Sequence, residues 1–310
     1  MPKISVVIPA YNCSQYISKT VESVLSQTCK DFEIVIADDG STDDTKDKVD
    51  MLIKEGAPIK YIYHENKGPA VARNTGIRNA SGEYIAFLDA DDLWVPEKLE
   101  LQMEIFQKNS DVGLVYSDVQ NFDDSRRWQA DRFHYSPEQV ARQSGWIFPA
   151  FFRREVHIPT STVMVKKKCF DEVGLFDENM KKLCSQDREV FLRITRKYQA
   201  HYIHRPLALY RIRAGSRSRQ ISKLLEGQRY VINKMAKNKW VSRLDAVRAL
   251  ANSYYEAALG YFSIRNIIEG MKNLAISFFY NPINLMKPRR LKSIAGKLIR
   301  TQLNDKLFRK

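Results

Sequence analysis

The sequence predicts an α/β fold, a mostly parallel sheet with helices on both faces, followed by a helical C-terminal appendage. Three observations carry that expectation. Short, β-branched, continuously apolar runs alternate with segments of helical period through the first 120 residues, as strands buried on both faces alternate with the helices that cover them. The turns between them are rich in Asp, Gly, Ser and Asn, residues that favour turn conformations. Beyond about residue 220 Gly and Pro become sparse and only the helical period remains.

Residues 4–9 (ISVVIP) read as the first strand, after which Ile17, Val21, Val24 and Leu25 recur at helical spacing. The strand FEIVIA, the turn DDGST and a helix from about Asp43 come next. They are followed by the strand IKYIYH, the turn ENKG and the helix PAVARNTGIRNA, then by the turn SGE and the strand YIAFLD. In VPEKLELQMEIFQK, Pro96 is placed for a first helical turn, and VGLVYSDV reads as the strand behind it. Residues 121–155 lose the pattern in a polar and aromatic excursion, and no internal repeat or low-complexity tract is present. The expected division is an α/β domain over residues 1–218 and a basic helical region over 219–310.

With 310 residues, 44% hydrophobic and 28% charged, the chain can bury one full-sized core and carry an appendage. The N-terminus runs straight into a strand, with no charged-then-apolar leader pattern. The longest apolar stretches, such as NLAISFFYNPINLM, are broken by Asn and Pro, short of the roughly 20 residues of a spanning helix. Cys13, Cys29, Cys169 and Cys184 form no C-x-x-C pair, which argues against a zinc site or a disulfide framework and for a reducing cytoplasm. The net charge of +14 is uneven: residues 1–210 hold 28 Lys and Arg against 31 acids, and residues 211–310 hold 22 against 5. That asymmetry implies two different tasks.

In sheets of this kind ligands bind beyond the carboxyl ends of the strands, here residues 9–12, 38–41, 65–68 and 89–92. In FLDADD, Asp89 and Asp91 offer hard oxygen ligands at a spacing that holds Mg²⁺ or Mn²⁺ with positions open for phosphate and water. The alternative is a polar turn with helix-capping aspartates. NKGPAVARN adds a Gly turn at a helix N-terminus, suited to an anion, together with Lys67, Gly68 and Arg73. Tyr11, in PAYN, is an aromatic that can lie against a base. Neither G-x-G-x-x-G nor G-x-x-x-x-G-K-[ST] occurs.

ISVVIPAYN, IVIADDGSTDDT, NKGPAVARNTGI and GEYIAFLDADD, with FDEVGLFDE, SQDREVFLRI and YRIRAGSRS further on, resemble the ordered signatures of the family-2 glycosyltransferases, over residues 3–218. The resemblance implies the GT-A fold, a nucleotide-sugar donor, commonly a UDP-sugar, and Mn²⁺ or Mg²⁺. It implies that Pro9, Ala10, Tyr11, Asn12 and Asp39 hold the nucleoside. Asp89 and Ala90 would then lie near the ribose, Lys67, Gly68 and Arg73 near the donor, and Asp91 on the metal that bridges the diphosphate. It also implies inverting transfer with Asp187 as the base, to a saccharide or lipid-linked saccharide of the surface-polysaccharide type.

Two departures bear on the acceptor. The family has Glu where this chain has Gln186, which adds no negative charge and both donates and accepts. It has His where this chain has Arg213, which ligates no metal but clamps phosphate. Arg211 and Trp94 are the neighbouring acceptor or phosphate candidates. His64, His134, His157, His201 and His204 show no metal-ligand spacing.

Residues 287–310 place Leu291, Ile294, Leu298, Gln302 and Leu303 near one helical stripe among Lys and Arg. Such a helix either anchors on anionic lipid at the cytoplasmic face of a membrane or packs its stripe on the protein. The rival functions are a nucleic-acid-binding protein that uses the basic region on phosphates, which leaves the acidic crevice without a purpose, and a nucleotide-sugar-binding module without catalysis.

Overall fold

A computed structural model describes residues 2–123, 135–180, 183–212, 220–285, 290–291 and 293–294. The described chain divides into two compact units. The first comprises residues 1–151, 156–182 and 186–214; the second comprises residues 215–310 with the short segments 152–155 and 183–185.

The first unit is built on one eight-stranded sheet. Its strands are β1 (Ile4–Ala10), β2 (Phe32–Asp39), β3 (Ile59–His64), β4 (Tyr84–Phe87), β5 (Leu93–Trp94), β6 (Val112–Phe122), β7 (Met164–Lys166) and β8 (Gln199–Arg211), in the order β3-β2-β1-β4-β7-β6-β8-β5. β1 to β4 are mutually parallel, in the register Val6↔Ile34 and Val6↔Ala86. β6 and β8 are also parallel, whereas β7 runs antiparallel between β4 and β6, and β5 antiparallel on β8. The expectation of a mostly parallel sheet therefore holds, with β1 to β4, β6 and β8 sharing one direction and β5 and β7 running against it, two strands too short to leave a period in the sequence.

The helices cover both faces because successive strand side chains alternate. Ile4, Val6 and Ile8 of β1 pack with Ile17, Val21 and Val24 of α1 (Ile17–Leu25) and with Leu99, Met103 and Phe106 of the helix Lys98–Lys108. On the other face the Phe87 ring meets Phe170, Phe176 and Phe191 at centroid distances of 5.5–6.3 Å. Thr45–Lys54 forms α2 and Pro69–Asn79 forms α3, and with Lys98–Lys108 as α4 they alternate with the strands as expected. The excursion at 121–155 contains, in its described part, the short helices α5 (Pro137–Ala141) and α6 (Phe148–Phe152). After β7 come α7 (Lys168–Val173) and α8 (Gln186–Lys197).

The second unit is helical: α9 (Ile221–Lys237), α10 (Arg243–Ser263), α11 (Ile267–Tyr280) and α12 (Pro282–Leu285). Its core is made of Val231, Ile232, Met235, Ala249, Ala258 and Phe262. Gly227 lets α9 press against the Cys184 carbonyl, since a Cβ there would stand 2.0 Å from that oxygen. Among the described residues no helix is long and apolar enough to cross a membrane. Most of the basic stripe at 287–310 lies outside the described residues.

Candidate active site

The acidic loop at residues 89–92 leaves the carboxyl end of β4, and its backbone is braced on several sides. The Thr20 hydroxyl donates to the carbonyls of Ala90 (2.9 Å) and Asp92 (3.0 Å). The Asp89 N–H donates to Ser161 Oγ (3.2 Å), whose hydroxyl donates to Asp92 Oδ2 (2.6 Å). From β8, the Arg211 N–H donates to Asp92 Oδ1 (3.0 Å) and Arg211 Nε to the Asp91 carbonyl (2.8 Å). The guanidinium of Arg211 lies between the rings of Tyr16 and Phe122, 4.7 and 4.5 Å from their centres, an arrangement that favours a cation. Burial, reinforced by the neighbouring Asp91 and Asp89, pushes the Asp92 carboxyl well above the ordinary carboxylate range. Asp92 thus belongs to the support of the loop, while Asp89 and Asp91 keep solvent access.

Asp89 takes an ion pair from Arg73 Nη2 at 2.7 Å. Arg73 itself is buried on α3, and among the described residues its Nε has no hydrogen-bond partner. The adjoining strand ends are laced together. The Asn12 N–H donates to Ser41 Oγ (2.9 Å), and Asn12 Oδ1 accepts from the Thr42 N–H (2.8 Å). Asn12 has φ 45°, a left-handed conformation that Asn tolerates. Asp39 Oδ1 accepts from the Lys67 N–H (2.7 Å) and Oδ2 from the Gly68 N–H (2.9 Å). Burial raises the Asp39 pKa against the pull of those two donors. Gly40 must be glycine: its φ is +79°, and a Cβ would stand 2.8 Å from the Asn66 nitrogen. Tyr11 is 52% exposed beside this arrangement. Two residues on, burial pushes the Cys13 thiol up to about 12.

Asp187 sits in the first turn of α8, where Oδ2 accepts from the Thr160 hydroxyl (2.8 Å) and Oδ1 from the Arg188 N–H (2.8 Å). Thr160 and Ser161 are neighbours in one turn of 3₁₀ helix. A single short turn therefore holds Asp187 with one residue and the acidic loop with the next, bringing together carboxylates almost a hundred residues apart in sequence.

Pro9, Ala10, Tyr11, Asn12, Asp39, Lys67, Gly68, Asp89, Ala90 and Asp91 fall on strand ends and the turns that follow them, Arg73 on α3 and Asp187 in the first turn of α8. Three acceptor candidates do not present themselves to a ligand. Trp94 is buried, its Nε1 donating to the Ser161 carbonyl (2.7 Å). Gln186 is buried, its Nε2 donating to the Met180 carbonyl (2.8 Å). The Arg211 side chain is committed to the Asp91 carbonyl and its two rings. Arg213 lies outside the described residues. Sequence reasoning missed Thr20, Thr160, Ser161 and Asp92. The only signal for the middle two was the hydroxyl run TST at 160–162, which has no helical or strand period of its own.

The family profile described as glycosyl transferase family 2 matches residues 5–170, more than half of the chain. The chain belongs to this family. An uncharacterized glycosyltransferase of Rickettsia conorii is 32% identical over 292 residues, which is 93% of this chain and 45% of that protein. The putative teichuronic acid biosynthesis glycosyltransferase TuaG of Bacillus subtilis is 46% identical over 110 residues, 35% of this chain and 44% of that one. The chain spans between 34% and 54% of the length of the first curated relatives it matches. Among solved structures, Staphylococcus aureus TarS in complex with UDP-GlcNAc superposes with a TM-score of 0.64 at 17% identity, over 96% of this chain and 89% of that one. The mannosyltransferase PcManGT of Pyrobaculum calidifontis, in complex with GDP-Man and Mn²⁺, gives 0.61 at 16% identity, over 100% and 88%. The family-2 chain thus has the GT-A fold that its motifs imply.

Proposed function

We propose that this family-2 glycosyltransferase moves a sugar, with inversion, from a nucleotide-sugar donor to a hydroxyl of a saccharide or lipid-linked saccharide in polysaccharide assembly, with a UDP-sugar as donor. The observation that carries the reading is the shared turn: Thr160 holds Asp187 and Ser161 holds the loop of Asp89 and Asp91. An acceptor base and a donor-diphosphate site are thereby fixed to one support. Resemblance to TuaG, a putative teichuronic acid glycosyltransferase, supports the polysaccharide class. The nucleotide sugars bound by TarS and PcManGT support the donor class.

Tyr11 lies against the base, with Pro9, Ala10 and Asn12 shaping the nucleoside cleft. Asp39 contributes through the lone pairs left over by the 67–68 turn it holds. Asp89 and Ala90 adjoin the ribose. Lys67, Gly68 and Arg73 surround the donor, and the unpartnered Nε of buried Arg73 supplies a further N–H. A divalent cation, Mn²⁺ or Mg²⁺, suits the Asp91 carboxylate, a hard oxygen donor with solvent access on a braced backbone. When bound, it stabilises charge on the departing nucleoside diphosphate. Asp187 takes the proton of the attacking acceptor hydroxyl, its orientation fixed by Thr160. That step is worth about 10²–10⁴-fold in rate.

Calorimetric titration with UDP, GDP and dTDP, with Mn²⁺ or with chelator, tests the donor site on wild type and Asp91→Asn. The expected outcome is metal-dependent binding of UDP that the variant loses; no binding of any nucleotide would overturn the donor reading. Asp187→Asn should keep nucleotide binding and lose transfer. A wild-type protein that binds donor but transfers to no acceptor would favour the non-catalytic module.

A further inference from the structure

Helix α11 carries its large apolar side chains on the wrong side for a helix of a folded protein. The face turned to α10 is small and polar along most of its length, with Tyr280 stacked on Tyr254 at its end. A Cβ at Gly270 would stand 2.2 Å from the Phe262 ring, Asn273 is buried, and the Ser277 hydroxyl donates to the Ala251 carbonyl (2.8 Å). Those three positions share a stripe at a spacing of three and four residues. On the opposite side Ile268, Met271, Phe278 and Phe279 form an outward apolar stripe, extended by Ile264 before the helix and Ile283 after it. Phe279 is 85% exposed, Ile283 76% and Ile268 71%. Isolated exposed apolar residues are ordinary, but a contiguous strip along a whole helix marks a surface that another apolar phase covers.

Charge selects the occupant. Residues 264–310 carry eleven lysines and arginines against two acids, Glu269 and Asp305. A second copy on the same face would add a second segment of the same charge, with like-charge repulsion. An anionic bilayer surface supplies both complements at once, an acyl boundary for the isoleucine and phenylalanine side chains and headgroup charge for a segment whose sequence is strongly cationic.

We propose that the outward face of α11, with Ile264 and Ile283, is an in-plane membrane docking surface that inserts its apolar stripe into the headgroup and acyl boundary of an anionic lipid layer. Insertion of this kind is partly hydrophobic, so it differs from a purely electrostatic attraction of the basic segment that follows in sequence. It stands independently of the donor assignment.

Co-sedimentation of the full chain with phosphatidylcholine vesicles, with and without phosphatidylglycerol, tests it at low and high salt. Wild type is expected to bind the anionic vesicles and to retain a fraction at high salt, where screened electrostatic attraction is lost. Ile268→Asp combined with Phe279→Asp should lower the bound fraction at both salts, by about tenfold or more, the equivalent of losing burial of a single large apolar side chain. Both positions are exposed, and unchanged circular dichroism checks that the variant is folded. Phe279→Trp should show fluorescence quenching by brominated lipid. Equal binding of wild type and double variant would overturn the proposal, as would complete release at high salt. Absence of vesicle binding, with a wild-type dimer that the double variant converts to monomer, would also overturn it and assign the face to a second copy.

Discussion

Lys98 is fully buried at the start of α4, with its Nζ 2.7 Å from Gln102 Oε1 and 3.9 Å from the centre of the Trp94 ring. Among the described residues no carboxylate pairs with it, and burial holds its ammonium well below the ordinary lysine range. Between that lowered pKa and the unfolded value of about 10.4, the unfolded chain binds a proton that the folded one does not. Stability therefore rises with pH across the window, by about 1.4 kcal/mol per pH unit for one proton. Lys98→Met removes the group, so it is expected to be more stable than wild type near neutral pH, with the advantage shrinking toward about pH 10. Urea unfolding of both proteins at several pH values measures this, and a pH-independent difference would show that Lys98 is charged in the fold. The same scale shows what the sequence made legible. Asp89, Asp91 and Tyr11 stand out as acidic or aromatic residues at strand ends, whereas Asp187 is singled out only by the resemblance of its motif to the family's. Trp94, Gln186 and Arg211 are not placed by sequence, because whether a polar head points to solvent or to a buried carbonyl is decided by Ser161, Met180 and Asp91, none of them a neighbour whose position the local pattern fixes.

At the scale of the element, α3 shows packing overriding helix propensity. Gly76 lies in the interior of α3, where Ala would ordinarily add about 0.5–1 kcal/mol of stability. A Cβ there would stand 2.3 Å from Val7 Cγ1 of β1, so the helix sits on its strand only because the side chain is absent. Gly76→Ala is expected to destabilise by about 1–3 kcal/mol, and Val7→Ala in the same chain should recover part of the loss. Denaturant midpoints for the single and double variants check both statements. Elements with a sustained period, β1 to β4 and α1 to α4, are readable from the chain alone. β5 and β7 are two and three residues long, and β8 holds Pro206 where its register with β6 shifts, between Ser117 and Asp118, a position at which Pro is tolerated. Within the excursion the helix start at Ser136 was legible after all: the capping box with Gln139 is present in both directions, and SPEQ is its signature.

For the whole molecule, the uneven charge follows the division of the chain: the α/β unit is near balance between acids and bases, and the helical unit holds few acids and a large excess of Lys and Arg. The site is nevertheless assembled from distant parts of the first unit. The bond from the Arg211 N–H to Asp92 spans 119 residues of sequence and that from the Asp89 N–H to Ser161 spans 72. Contacts of such separation form slowly, because the loop-closure entropy is lost before the contact is gained. The order of events in folding follows from this. β1 to β4 can pair through short crossovers with Thr20 of α1 already reaching the acidic loop, and the Arg211 bonds that complete its support form only once β8 has docked. In refolding from urea, recovery of UDP binding is expected to lag behind recovery of far-ultraviolet circular dichroism, and simultaneous recovery would show that β8 docks with the first strands. During synthesis, a growing chain that has not yet reached residue 211 holds Asp89 and Asp91 on a loop that lacks its Arg211 bonds. Nucleotide affinity would then be the last property this unit acquires, and its appearance would signal that the unit has closed.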